Sequence, residues 1–130
     1  MHHFLGYLFV FVGGGLGAML RHGVNRLGMA WLGPSLPWST LFVNVVGGLV
    51  MGLFAGWFAY RGEHASQLVR LFLTTGLLGG FTTFSAFTLD AVLLWERRQY
   101  MVAGGYVVGS VALAIIGLSA GLAITRTWLG

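Results

Sequence analysis

Four long uncharged runs, separated by short polar punctuation, organise the chain: Phe4–Leu20, Trp38–Tyr60, Leu71–Leu89 and Met101–Thr125. Each approaches or exceeds the ~20 residues that carry a helix across a ~30 Å hydrocarbon core. The pattern therefore predicts an all-α membrane protein with four transmembrane helices. The first run is the shortest, but it continues through Arg21, because an arginine near a helix end snorkels to the interface. With their flanks the predicted spans cover about 4–28, 38–60, 68–95 and 99–126, within a single four-span domain over residues 1–130. Gly33-Pro34-Ser35-Leu36-Pro37 closes the first loop, Arg61-Gly62-Glu63-His64 forms the second and Glu96-Arg97-Arg98-Gln99 the third.

Composition agrees with lipid as the solvent. Only 8% of the residues are charged and 57% are apolar, whereas a soluble domain keeps about a quarter of its residues charged. Seven arginines against three acids make the chain basic. They stand singly or as one pair, which is the distribution of interfacial anchors rather than of a nucleic-acid stripe. The N-terminal stretch lacks a basic leader and a small-residue cleavage pattern, so it is expected to be a retained first span. With four spans, Arg61, Arg70 and Arg126 fall on one side and Arg21, Arg26, Arg97 and Arg98 on the other. Orientation follows arginine bias, and three against four is nearly none. Insertion both ways round, and an antiparallel homodimer of opposed copies, are the expectation; one decisive charge or an insertion factor is the alternative.

Glycines supply packing surfaces. Gly13/Gly17, Gly48/Gly52/Gly56, Gly76/Gly80, Gly105/Gly109 and Gly117/Gly121 recur four residues apart. Such stripes let helix backbones approach closely in lipid, within one chain and between copies.

The chemistry concentrates in the third run, at Leu77–Asp90, where paired glycines, hydroxyl side chains and three phenylalanines replace the usual aliphatic residues. Polar groups at membrane depth are costly and mark a path or a site. Gly79-Gly80 followed by Thr82-Thr83 favours local unwinding, tolerated only where the backbone is buried in protein or lines a polar cavity. Freed carbonyls there suit a hard cation such as Na⁺; an unbroken, tightly packed helix is the alternative. Phe84 and Phe87 share one face at i, i+3. Interleaved with Thr83, Ser85 and Thr88, their positive ring edges suit a small, poorly polarisable anion; plain packing is the competing explanation. Asn44 in the second run either donates to an ion or bridges helices. Tyr106 and Ser110 put two hydroxyls on one face of the fourth. Asp90 and Arg21 are the charges able to turn inward. No carboxylate–histidine cluster, phosphate loop or Ser–His–Asp set is present, so an enzyme is not expected.

Gly17-Ala18-Met19-Leu20-Arg21, Thr40 to Gly48 with its N-x-x-G-G element, and Thr75 to Phe87 with G-G-F-T-T-F-S-A-F together resemble the CrcB/Fluc fluoride channels, in order and spacing over nearly the whole chain. The resemblance implies a passive, fluoride-selective channel in the bacterial plasma (inner) membrane that exports fluoride and lowers its toxicity. It implies an antiparallel homodimer with two pores and a structural, non-transported Na⁺ at its centre. Carried over by position, Gly79 and Thr82 would offer the Na⁺ their carbonyls. Asn44, Phe84, Phe87, Ser85, Tyr106 and Ser110 would line the fluoride pathway, and Arg21 its vestibule. Ala86 and Ala114 stand where some relatives carry a hydroxyl, which shortens the polar track. The rival reading is a small proton-coupled exporter of lipophilic cations using Asp90.

Overall fold

A computed structural model describes residues 2–61 and 66–129, so the second loop proposed at Arg61–His64 lies outside the described residues, apart from the Arg61 backbone. The described residues form helices joined by short non-helical links, with four helices long and apolar enough to cross a membrane. In hydrocarbon every backbone polar group needs a partner within the protein, and helices provide it locally.

Helix α1 (His2–Leu32) has 31 residues, or about 46 Å at 1.5 Å per residue. It ends at Gly33, whose φ of +80° lets its N–H bond the Met29 carbonyl at 3.2 Å, a closure that favours glycine. Pro34 follows and cannot continue the helix. Helix α2 (Trp38–Arg61) begins immediately after Pro37. The third span is composite: α3 (Gln67–Arg70), a π-helical segment (Leu71–Leu78), α4 (Gly79–Phe81) and, after a break, α5 (Phe84–Glu96). Helix α6 (Tyr100–Leu129) completes the chain. Between α5 and α6, Arg98 adopts φ +62°, and its N–H bonds the Trp95 carbonyl at 2.9 Å.

The glycine stripes interlock in two pairs. Along α1 and the third span, a methyl on Gly17 would strike the Leu77 carbonyl and one on Gly80 the Gly14 carbonyl. Along α2 and α6, Gly52 lies against the Leu118 carbonyl and Gly121 against that of Leu49. Close backbone approach of this kind is what holds helices together in lipid. Gly105 and Gly109 differ: nothing lies within 4 Å of where their side chains would be.

Two sequence expectations change. Helix α1 runs to Leu32, beyond the expected end near residue 28, so both Arg21 and Arg26 lie inside it. The break, expected over Gly79-Gly80 with Thr82-Thr83, is confined to Thr82 (φ −85°, ψ 161°) and Thr83 (φ −152°, ψ 122°). Gly80 stays helical because it is pressed on the α1 backbone, while a β-branched threonine accepts extended geometry readily.

Candidate functional site

The break is best understood by following its hydrogen bonds, because each peptide group lost from the helix needs a partner. In a continuous helix the Thr83 N–H would bond the Gly79 carbonyl. Here it bonds Asn44 Oδ1 at 2.8 Å, and Asn44 Nδ2 donates to the Thr83 carbonyl at 2.9 Å. One side-chain amide of α2 thus replaces the helical acceptor of the Thr83 N–H and adds a second donor to its carbonyl, which as the N-cap carbonyl also takes the first bond of α5. The Ala86 N–H, which would have gone to the Thr82 carbonyl, instead bonds Thr83 Oγ1 at 3.1 Å, making Thr83 the N-cap of α5. The carbonyls of Gly79 and Thr82 thereby lose their helical donors. At Gly80 the missing donor is replaced by Arg21, whose Nε bonds that carbonyl at 3.0 Å.

Beside the break lies a cavity of about 230 Å³ lined by Asn44, Thr82, Thr83, Phe84, Phe87, Ser110, Val111 and Ala114. Phe84, Phe87 and Tyr106 form an aromatic ladder with centroid separations of 5.7 Å and 5.3 Å. Phe84 is 79% exposed on the single chain, and Phe87 is half-buried. Ser110 also borders a second cavity of about 290 Å³, with Tyr106, Gly105 and Gly109. Its Oγ is buried without a hydrogen-bond partner, the one such side-chain atom among the described residues. A buried orphan hydroxyl costs about 1–3 kcal/mol, so it marks a place where a ligand or water is wanted. Asn44 keeps one amide N–H beyond the one given to Thr83.

A third cavity, of about 330 Å³, sits beneath the first loop and is lined by residues that include Asn25, Ser39, Thr40, Ala86, Asp90 and Arg97. Its walls bring the first loop and the end of α5 to one face, as the four-span count requires. Asp90 accepts a hydrogen bond from the Tyr106 hydroxyl at 3.2 Å, so the tyrosine proton is directed to the carboxylate. At the opposite end Arg70 stacks over Phe58 at 5.1 Å, and Arg126 Nε bonds the Tyr60 hydroxyl at 3.2 Å, as interfacial anchors do.

Of the residues singled out from sequence, Asn44, Thr82, Phe84, Phe87 and Ser110 line one cavity, and Tyr106 borders the next. Ser85 stands apart on an exposed face, its Oγ 3.4 Å from Thr83 Oγ1. Gly79 is exposed at the other side of the break. Sequence reasoning missed the Asn44–Thr83 pairing and the Arg21–Gly80 bond. A signal for the first existed, since a lone amide in an apolar span needs partners, and an unwound backbone supplies them.

These features define a small multi-pass membrane protein whose polar interior is built at a break in its third span. The family described as "CrcB-like protein, Camphor Resistance (CrcB)" matches residues 8–122. The chain is 62% identical over 120 residues to the "Fluoride-specific ion channel FluC" of Rhodopseudomonas palustris (strain BisB5), covering 92% of this chain and 96% of that one. It is 54% identical to "Fluoride-specific ion channel FluC 2" of Nitrobacter hamburgensis (94% and 98% covered). It is 57% identical to the protein of that name, without the numeral, from Methylobacterium nodulans (94% and 97% covered). This chain belongs to the CrcB-like family, a family of ion channels rather than enzymes.

Proposed function

We propose that the protein is a passive, fluoride-selective channel of the bacterial inner membrane, working as an antiparallel homodimer and lowering the toxicity of cytoplasmic fluoride. The observation that carries the reading is Ser110, a buried donor without a partner at the wall shared by two cavities. Fluoride sheds water on entering, and the Ser110 hydroxyl, the spare Asn44 N–H and the edges of Phe84 and Phe87 take its place. These contacts favour a small hard anion over chloride, which gains less from a narrow ring of donors. They carry no full positive charge, so binding admits the ion without trapping it. HF crosses membranes and dissociates in a near-neutral cytoplasm; the inside-negative potential then drives the anion out, worth about 2.3 kcal/mol per 100 mV. Tyr106 contributes its ring, since its hydroxyl proton is directed to Asp90. Ser85 and Arg21 belong to the approach to the pathway.

The near-even arginine count, three against four, supports opposed copies, and the exposed Phe84 ring is available to a second subunit. A Na⁺ fits the break on one ground: the Gly79 and Thr82 carbonyls are the ones whose helical donors are diverted to Asn44 and Thr83. Bound there by both copies, the ion would act as a structural cross-link, as hard cations do at discontinuous helices. Cation export through Asp90 is not favoured, because that carboxylate is engaged by Tyr106 and lies on α5 beyond the break.

The test is electrode-detected fluoride release from liposomes holding the purified protein, with chloride release measured alongside. Fast fluoride release with little chloride release is expected. Ser110→Ala should remain assembled and gain stability, since it removes an orphan hydroxyl, yet release fluoride at least tenfold more slowly. Equal release of the two anions by the wild-type protein would overturn the selectivity claim.

A further inference from the structure

The break leaves a run of main-chain carbonyls outside the helical ladder, and they are not treated alike. Arg21 covers the Gly80 oxygen, whereas those of Gly79 and Thr82 lose their helical donors to Asn44 and Thr83. A bare carbonyl repels an anion and attracts a cation, so which carbonyls are covered decides what the break can hold.

Arg21 reaches Gly80 from α1, a different helix, and does so through Nε. Glycine contacts fix the distance: Gly17, one turn before Arg21, lies against the Leu77 carbonyl, and Gly80 against that of Gly14. The guanidinium is therefore delivered to the end of α4 by backbone packing. Its other two nitrogens have no partner among the described residues. A lysine has the same charge but neither the planar fork nor the Nε donor.

We infer that Arg21 is a positioning residue that acts through Gly80. By covering that carbonyl it keeps Gly80 out of the cation ligand set, fixes the last turn of α4, and holds the break in its anion-conducting form. This rests on the fluoride reading for its consequence and on hydrogen-bond geometry for its substance. Guanidinium shape, beyond charge, is what the position requires.

Arg21→Lys and Arg21→Gln separate the two. Gly80-Phe81 is the only Gly-Phe pair in the sequence, so ¹³C′-glycine with ¹⁵N-phenylalanine labelling isolates the Gly80 carbonyl in bilayer samples. Its resonance should move by more than its linewidth in both variants. Fluoride release should fall at least tenfold in both, at low and at high salt alike. Wild-type release from Arg21→Lys would show that charge suffices and overturn the inference, as would a Gly80 resonance unmoved in both variants. If a variant does not assemble, dipolar recoupling in the wild-type protein between ¹⁵Nε-arginine and ¹³C′-glycine decides: a contact is expected, and its absence refutes the clamp. Should the wild-type protein release no fluoride, the channel reading fails, and the Gly80 resonance still judges the clamp by itself.

Discussion

Asn44→Ala is the sharpest perturbation of the break. It removes two hydrogen bonds, of 2.8 Å and 2.9 Å, and leaves the Thr83 N–H without a partner in a water-poor interior, while the Thr83 C=O keeps its donor from the first turn of α5. An orphaned N–H costs about 1–3 kcal/mol, and the extended geometry at Thr83 loses that much. The nearest remedy is to return the Thr83 N–H to the Gly79 carbonyl, which heals the helix. At about 1.4 kcal/mol per decade, the balance between broken and healed forms shifts roughly 5- to 140-fold. Hydrogen exchange at the Thr83 amide and fluoride release from liposomes should therefore change together in Asn44→Ala. Asn44→Asp keeps the acceptor for Thr83 N–H but sets a carboxylate against the Thr83 carbonyl, and should fall between the two. Slowed release with unaltered Thr83 exchange would refute the reasoning, since Asn44 would then act on the ion alone.

Replacing Phe84 or Phe87 by Ile should cut fluoride release sharply with the protein still assembled; unchanged release in both variants rejects the ring-edge mechanism. Gly17→Ala places a methyl on the Leu77 carbonyl and should destabilise by about 1–3 kcal/mol, whereas Gly104→Ala meets nothing within 4 Å and should be tolerated; detergent unfolding curves compare them. Arg98→Gly relieves a left-handed residue and should stabilise the fold by about 1 kcal/mol, read as a shift in thermal unfolding midpoint.

The helices were legible because hydrocarbon imposes one strong constraint, a run of apolar residues long enough to cross it. Their ends were less so. Helix α1 passes through Arg21, His22, Asn25 and Arg26 to Leu32, since polar residues near an interface do not stop a helix. The break was legible as a region from Gly79 to Thr83, but not its confinement to the two threonines. Glycine propensity pointed to Gly79-Gly80, whereas tertiary packing on Gly14 holds Gly80 helical and a side chain from α2 unwinds Thr83. That information lies in another helix and is invisible to a local reading. The π-helical segment Leu71–Leu78 left no signal either, because its apolar residues suit an α-helix equally well. The aromatic pair, Asn44 and Ser110 were legible as polar or aromatic exceptions in apolar runs, and four of the five cavity-lining residues named from sequence came from that rule.

The two glycine interlocks have a mechanical consequence. Helix α1 with the first half of the third span, and α2 with α6, are each locked at backbone contact, so each pair moves as a stiff rod. The links joining them at the break are side chains: Asn44 spans from α2 to Thr83, and Arg21 from α1 to the last turn before the gap. A bilayer that thins, thickens or changes its lateral pressure tilts rods rather than bending them. The resulting shear gathers at the seam, on the two hydrogen bonds between Asn44 and Thr83, which makes membrane thickness itself a lever on the geometry of the break.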